Sequence, residues 1–203
     1  MLEEAIHKLV LSPRTSTLRM AAVADLLKKM LEEEGLKGVR GGTGGELCVP
    51  GLARVKDWDL AYEFAGKFRL LVSLKSLLKN LSGSVPNRLD DLQGELSNVQ
   101  QLWPEIVIGY VVLIDSQEDG LRRTDGKMWS QFFREALERI AIRKPPLWNQ
   151  GLLEAVWVIC FDGSRTTGSR LNDPSKTLDE GREFVRRLVS ELQRREPAVE
   201  LKK

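Results

Sequence analysis

Carboxylates and lysines are the side chains of this sequence that are able to carry out hydrolytic chemistry. His7 is the only histidine among the 203 residues, so a two-histidine metal site is excluded. Cys48 and Cys160 lie far apart and lack CxxC spacing, which argues against a thiolate zinc site or a disulfide framework. Lys75 then draws attention, because this cation ends the apolar stretch FRLLVSLK. The question is which carboxylate faces it.

Two alternating stretches predict a β-hairpin that positions this lysine. Apolar residues recur at every second position over 54–64 (RVKDWDLAYEF) and again over 68–75, with residues 65–67 as the loop. Because the apolar sets of both strands must share the core face, the register is nearly fixed. The resulting pairs are Phe64 with Phe68, Tyr62 with Leu70, Leu60 with Val72, and Trp58 with Leu74.

The other face of the predicted hairpin is polar. Asp59 is expected opposite Ser73, and Asp57 opposite Lys75, with about 5 Å between paired Cβ atoms. A carboxylate and an ammonium therefore meet on this face. They are either ordinary cross-strand surface charges or part of a site.

The remaining periodicities predict an α/β sandwich around a mixed β-sheet. Residues 16–34 carry Leu18, Ala22, Leu26 and Met30 on one stripe and stop at a glycine, as expected of a helix. Further helices are predicted at 85–103, 125–141 and 175–196, and buried strands at 105–115 and 152–161. The order helix, hairpin, helix, strand, helix, strand, helix favours a sheet flanked by helices.

The elements around the hairpin resemble those of the PD-(D/E)xK nuclease superfamily. Asp59 is followed, after thirteen residues, by Ser73, Leu74 and Lys75, with a helix before the hairpin and a helix and a strand after it. The segments VPGLARVKDWDLAY, LLVSLKS and NRLDDLQGE resemble those of type II restriction endonucleases of the XhoI type. The resemblance covers about half of the chain. It implies a restriction-endonuclease-like αβββαβ core, with a mixed β-sheet flanked by helices, in a single domain over 1–203.

The resemblance also implies a Mg²⁺-dependent active site. Asp59 is expected to bind the ion, the Leu74 carbonyl to add a further ligand, and Lys75 to orient the attacking water. Oxygen ligands and a nearby cation suit this chemistry, because Mg²⁺ is a hard ion and the scissile phosphate needs charge stabilisation. Ser73 departs from the pattern, since the family has Glu or Asp at that position.

Several acids of the chain are candidates for the role of the Glu or Asp that the family has at the position of Ser73. Some restriction enzymes with serine at this point take the acid from the following helix, where Asp91 and Glu95 share one predicted face with Arg88. Either acid is a candidate catalytic residue, although the alternative is a solvated helix flank with an intrahelical ion pair. Glu46 at the mouth of the hairpin and Glu34 at the end of the first helix are further candidates.

Two polar loops provide the candidate DNA contacts. KNLSGSVPN (79–87) follows the hairpin, and FDGSRTTGSRLNDPSK (161–176) follows the last strand. The candidate DNA-binding residues are Lys79, Asn80, Asn87, Arg88, Arg165 and Arg170. The alternative is that both loops are exposed and bind nothing. The GGTGG run at 41–45 lacks the context of a phosphate loop, so we interpret it as a flexible connector.

Composition narrows the function classes without choosing among them. A net charge of +2 and a pI near 8.5 permit nucleic-acid binding but do not require it. No signal peptide and no apolar run of about 18 residues are evident, so we expect a cytoplasmic protein without membrane contact. With the resemblance, the expectation is a homodimeric, Mg²⁺-dependent endonuclease acting on double-stranded DNA. The alternatives are a catalytically inactive DNA-binding member of the same fold and an α/β scaffold protein.

Overall fold

The computed structural model describes residues 1–13, 19–144 and 150–202 and places helices on both faces of a mixed β-sheet. Within these residues the strands are β1 (Arg40–Gly41), β2 (Leu47–Pro50), β3 (Val55–Trp58), β4 (Leu60–Phe64), β5 (Lys67–Leu77), β6 (Val107–Asp115) and β7 (Ala155–Phe161). The helices are α1 (Leu2–Leu11), α2 (Ala21–Glu33), α3 (Leu81–Leu102), α4 (Trp129–Ile140) and α5 (Pro174–Arg195). The predicted fold class, α/β with a mixed sheet flanked by helices, is confirmed.

Five strands form the main sheet in the order β1-β4-β5-β6-β7. The pairs β1/β4 and β4/β5 are antiparallel, whereas β5/β6 and β6/β7 are parallel. Helices α1, α2 and α5 pack on one face, and α3 and α4 pack on the other. The C-terminal ends of β5, β6 and β7 therefore lie at one edge of the sheet, with neighbouring strands roughly 5 Å apart.

Central strand β6 explains the longest apolar run of the sequence. Residues 107–114 are all buried, because helices cover both faces of the sheet at its centre. The predicted buried strands at 105–115 and 152–161 correspond to β6 and β7.

The hairpin β4–β5 has the predicted register at its open end and a different one at its turn. The pairs Leu60–Val72 and Tyr62–Leu70 are confirmed. The predicted pairing of Phe64 with Phe68 is wrong, because Phe64 pairs with Lys67 and a β-bulge follows Tyr62. Ala65 and Gly66 form a two-residue turn with φ of 50° and 73°. Two positive φ values match the twist of a tight hairpin. The observed loop is one residue shorter than predicted, and the bulge accommodates the extra residue in the strand.

The predicted first hairpin strand is broken at Asp59. Its first half, β3, pairs with β2 in a separate two-stranded sheet, which we call the ribbon (residues 47–58). Trp58 pairs with Leu47, and Asp57 pairs with Cys48, so the predicted pairs Trp58–Leu74 and Asp57–Lys75 are wrong. These two predictions fail because β3 pairs with β2 and not with β5. The Asp57 carboxylate also accepts a hydrogen bond from the Cys48 thiol at 2.8 Å.

The ribbon is fastened to α3 by Asn98. Its side-chain oxygen accepts hydrogen bonds from the backbone N–H groups of Ala53 and Arg54 at 2.8 and 3.2 Å, and its amide nitrogen donates to the Arg54 carbonyl at 2.9 Å. Trp103 donates its indole N–H to the Pro50 carbonyl at 2.8 Å. These bonds satisfy backbone N–H and C=O groups of the turn, which would otherwise need water as their hydrogen-bond partner.

The observed helices begin at other residues than the sequence periodicity predicts. The predicted helix over 16–34 is observed as α2 from Ala21, whereas 16–18, with Leu18 of the predicted stripe, lie outside the described residues. Helix α3 starts at Leu81, earlier than the predicted 85, because the Asn80 side chain accepts a hydrogen bond from the Gly83 N–H and caps it. Helix α1 was not predicted. None of the helices in the described residues is long and apolar enough to cross a membrane.

Candidate active site

Asp59 is the single residue between β3 of the ribbon and β4 of the main sheet. One oxygen of its carboxylate accepts a hydrogen bond from the Leu74 backbone N–H at 2.7 Å, so the side chain bridges to β5. Its carbonyl accepts a hydrogen bond from the Gly42 N–H at 3.2 Å. A Cβ on Gly41 would lie 2.0 Å from that carbonyl oxygen, so only glycine permits this close approach. Asp59 is thus held from two sides.

The environment of Asp59 disfavours its charged form. Burial raises the pKa of this carboxyl to about 6, against the opposing effects of the Leu74 N–H and the Lys75 ammonium. The nearby Glu46 carboxylate raises the pKa further. A half-buried carboxylate with a raised pKa gains more from a bound cation than an exposed one does.

Lys75 and Ser73 lie on β5 beside Asp59. The pairing of β4 with β5 begins at Leu60–Val72, so the predicted pair of Asp59 with Ser73 lies one residue beyond the observed ladder, and Asp59 contacts β5 through the Leu74 N–H. Lys75 lowers the pKa of Asp59, yet no carboxylate of the described residues lies within 4.0 Å of its ammonium. Ser73 is only 3% exposed and is level with Tyr110 of β6. The cation is therefore near Asp59 without closing an ion pair on it.

The two candidate acids of α3 are both paired with cations. Glu95 is 5% exposed and forms an ion pair with Lys56 of the ribbon at 2.5 Å. Asp91 is exposed and pairs with Arg88 at 3.2 Å, three residues earlier in the helix. The alternative of an intrahelical pair thus holds for Asp91, and Glu95 has a partner on the ribbon that sequence periodicity did not anticipate.

Tyr110 is buried on β6, level with Ser73 of β5. Burial raises the pKa of its hydroxyl, and the charges of Glu95, Asp91 and Asp59 raise it as well. The α3 acids therefore face the same region as Asp59.

Glu46 is the candidate acid that shares a cavity with Asp59. This cavity of about 120 Å³ is lined by Met20, Ala21, Ala24, Gly42, Gly45, Glu46 and Asp59. Within the described residues Glu46 has no cation within 4.0 Å. Two carboxylates around one small cavity offer the hard oxygen ligands that Mg²⁺ prefers. No group of three or more His, Cys, Asp or Glu that could hold a metal occurs in the described residues, so water or substrate oxygens would complete the shell.

The remaining candidate acid, at the end of α2, does not line the Asp59 cavity. Glu34 follows the C-terminal end of α2 and faces Arg186 of α5 at 3.4 Å, whereas the cavity is lined by Ala21 and Ala24 at the other end of the helix. Asp25, which the sequence analysis missed, lies at the cavity end and accepts a hydrogen bond from the Thr43 N–H at 3.0 Å. The sequence carried no signal for Asp25, because the predicted apolar stripe does not indicate which residues of the helix face a cavity.

The candidate DNA-binding residues lie where β5 and β7 end, but the predicted polar loop over 79–87 is largely wrong. Asn87 and Arg88 belong to α3, because the helix capped by Asn80 already begins at Leu81. Lys79, Asn80 and Asn87 are exposed after β5, and Arg88 is half-buried. The loop that follows β7 is held by its own arginines. Arg165 donates to the Ser169 carbonyl at 2.7 Å, and Arg170 to the Gly163 carbonyl at 2.6 Å. Because these side chains support their loop, their availability to DNA is lower than the sequence suggested.

Comparison of the chain with protein-family models, with curated proteins and with solved structures finds no match.

Proposed function

We propose that this protein is a Mg²⁺-dependent endonuclease that hydrolyses phosphodiester bonds in double-stranded DNA, as a homodimeric type II restriction enzyme. The observation that carries the proposal is the half-buried carboxylate of Asp59 beside the half-buried Lys75 ammonium, which has no ion-pair partner among the described residues. Removing a charge from water without a close partner is unfavourable, and such placement is typical of functional groups.

The order of elements supports the same proposal. Along the chain α2, β1, β4, β5, α3 and β6 follow one another, with the ribbon inserted between β1 and β4. This is the αβββαβ order expected from the sequence resemblance. Asp59 precedes the second of these strands and Lys75 lies on the third, so the expected metal ligand and the expected cation belong to neighbouring strands.

The residues present fit a divalent cation. Asp59 and Glu46 line one cavity, and burial leaves Asp59 with an electrostatic cost that a cation would offset. When bound, Mg²⁺ would polarise the scissile phosphate and lower the pKa of a water molecule. Lys75 would hold the attacking water or a phosphate oxygen through its three N–H donors. The Leu74 N–H fixes the Asp59 carboxylate for this task.

The pairing of two candidate acids with cations favours a second function, DNA binding without cleavage. Ser73 carries no charge, Glu95 is paired with Lys56, and Asp91 is paired with Arg88. A DNA-binding protein of the same fold without cleavage activity would have such an acid-poor site. The two functions share a ligand and differ in chemistry.

Cleavage of large unmethylated DNA with and without Mg²⁺ tests both functions. Discrete fragments with Mg²⁺, none with EDTA, and none with Asp59→Asn or Lys75→Ala support the nuclease. Binding without cleavage at any Mg²⁺ or Mn²⁺ concentration supports the second function. Absence of both contradicts both and leaves the α/β scaffold alternative.

A further inference from the structure

A groove continues from the Asp59 cavity along the glycine-rich loop (residues 41–45). Its volume is about 780 Å³, and its walls come from this loop, from Glu46 to Cys48, and from α2. It shares Gly45 and Glu46 with the smaller cavity that contains Asp59. The two spaces are therefore neighbours on the two sides of Gly45 and Glu46, next to the candidate active site.

The glycine-rich loop is anchored, in contrast to the flexible connector interpreted from its sequence. Its first residues form β1 and a 3₁₀ turn over Gly42–Gly44. The Thr43 N–H donates to the Asp25 carboxylate at 3.0 Å, and the Gly42 N–H donates to the Asp59 carbonyl at 3.2 Å. The loop thus has a defined position relative to α2 and Asp59.

Gly44 is a glycine that the fold does not require. Its φ lies outside the left-handed region, and a Cβ built on it would meet no atom within 4 Å. Gly41, Gly42 and Gly45 differ, since each has a positive φ. An unneeded glycine costs backbone entropy, and its usual advantage is to let a ligand approach the backbone closely. Gly44 lines the groove, so its lack of a side chain keeps the groove open.

The charges along the groove leave Lys28 available for an anion. Arg40 is engaged with Glu63 at 2.8 Å, and the Asp25 carboxylate is engaged with Thr43. Lys28 has no carboxylate within 4.0 Å among the described residues. Glu46 lies at the Asp59 side of the groove, because it also lines the small cavity. Lys28 is thus a groove-lining cation without an ion-pair partner among the described residues, which is what a contact to a phosphate requires.

We propose that the groove bounded by Lys28 and Gly44 binds the phosphodiester backbone of one DNA strand and directs it to Asp59. The proposal rests on the proposed function and adds the path of the bound strand. Lys28 contacts a phosphate, and the bare backbone at Gly44 lets the sugar-phosphate chain lie against the loop. Such contacts position DNA and carry no base specificity.

The first test is the salt dependence of binding to a 30-bp duplex without divalent metal. Lys28→Ala should weaken binding to any sequence and lower the slope of log K against log salt by about 1. Lys29→Ala is the matched control, because Lys29 lies on the same helix but faces Glu33 at 3.9 Å and lines a different cavity. It should leave the slope unchanged.

The second test separates binding from folding at Gly44. Gly44→Leu should leave the thermal unfolding midpoint unchanged or raised, because the site is open and its φ suits any residue. The same variant should bind the duplex at least tenfold more weakly, since its side chain projects into the groove and keeps the sugar-phosphate chain away from the loop backbone. Gly120→Leu is the control, because Gly120 also has no atom within 4 Å of a built Cβ and no positive φ.

The outcomes distinguish this proposal from the proposed function. If the unmodified chain binds DNA and both Lys28→Ala and Gly44→Leu bind equally well, the groove assignment is wrong while the proposed function stands. If the unmodified chain binds no DNA at any salt concentration, the proposed function fails and the DNA assignment of the groove fails with it. Selective loss in these two variants, with normal controls, supports both.

Discussion

The carboxylate of Asp59 accepts a hydrogen bond from the backbone N–H of Leu74 at 2.7 Å. The chain is thereby tied to β5 through a side chain at the point where it passes from the ribbon to the main sheet. One oxygen of the carboxylate is used by this bond, and the residue also lines the adjoining cavity. Because Lys75 follows Leu74 in β5, the same contact fixes the position of Asp59 relative to Lys75.

The first prediction concerns cleavage. Asp59→Asn and Lys75→Ala should each abolish cleavage of DNA, because one removes the charged ligand and the other removes the cation beside it. Far-UV circular dichroism should show an unchanged fold. Asp57→Asn is the matched control, since Asp57 is two residues away but lies exposed on the ribbon. Cleavage by either site variant at the normal rate would remove this site from consideration.

The second prediction is that Asp59 destabilises the protein at neutral pH. The pKa of this carboxyl is about 6 in the folded chain, above the value of roughly 3.9 in an unfolded chain. Between these values the folded state binds more protons, so the free energy of unfolding falls as pH rises from about 4 to 6. Asp59→Asn should therefore raise the unfolding midpoint at pH 7.5 relative to the unmodified chain, and this gain should shrink towards pH 4. Urea titrations at the two pH values measure the difference. A gain that does not depend on pH would contradict the assigned burial.

The third prediction assigns the second acid to Glu46. Glu46→Gln should lower cleavage by orders of magnitude while DNA binding without metal is retained. It should also reduce the rise of the unfolding midpoint that Mg²⁺ produces in the unmodified chain, because binding to the folded state alone stabilises by mass action. Asp91→Asn, which changes an acid already paired with Arg88, should have the smaller effect on both measurements. The reverse ranking would return the acid to α3.

The fourth prediction concerns a buried ion network far from the candidate site. Glu154 is fully buried and accepts hydrogen bonds from Arg143 and Arg195 at 3.1 and 2.7 Å, and from the Ile108 N–H at 2.6 Å. Glu154→Ala leaves two guanidinium groups without this carboxylate and should lower the free energy of unfolding by about 3–5 kcal/mol. Chemical denaturation measures this loss.

A surface pair supplies the control for that network. Arg182 and Asp179 pair at 2.8 Å on the exposed side of α5, and Arg182→Ala should change the stability little. Equal losses for the two variants would show that burial does not set the energy of these pairs.

The hairpin shows what the sequence could predict about the site. Alternation of apolar residues gave the Leu60–Val72 and Tyr62–Leu70 pairs correctly, since a shift of one residue would turn the apolar side chains away from the core. The turn was wrong because two positive φ values at Ala65 and Gly66 were not evident from an alanine. The placement of Asp59 beside Ser73 and Lys75 followed from the part of the register that was right.

The ribbon and the α3 acids show what the sequence could not predict. Pairing of β3 with β2 depends on a competition between two partners, and local alternation is the same for both. The ion pair of Lys56 with Glu95 is a consequence of that pairing, so the neutralisation of Glu95 was out of reach as well. Glu46 was among the candidate acids, but its preference over Asp91 depends on a cavity formed by α2 and the glycine-rich loop.

The single-residue junction at Asp59 makes the site responsive to the angle between two sheets. Strand β3 ends at Trp58 and β4 begins at Leu60, so a rotation of the ribbon relative to the main sheet must be absorbed by the torsion angles of Asp59. Asn98 and the Lys56–Glu95 pair fasten the ribbon to α3, so the angle at Asp59 is held by contacts outside the junction. The orientation of the Asp59 carboxylate thus depends on ribbon residues that do not line its cavity.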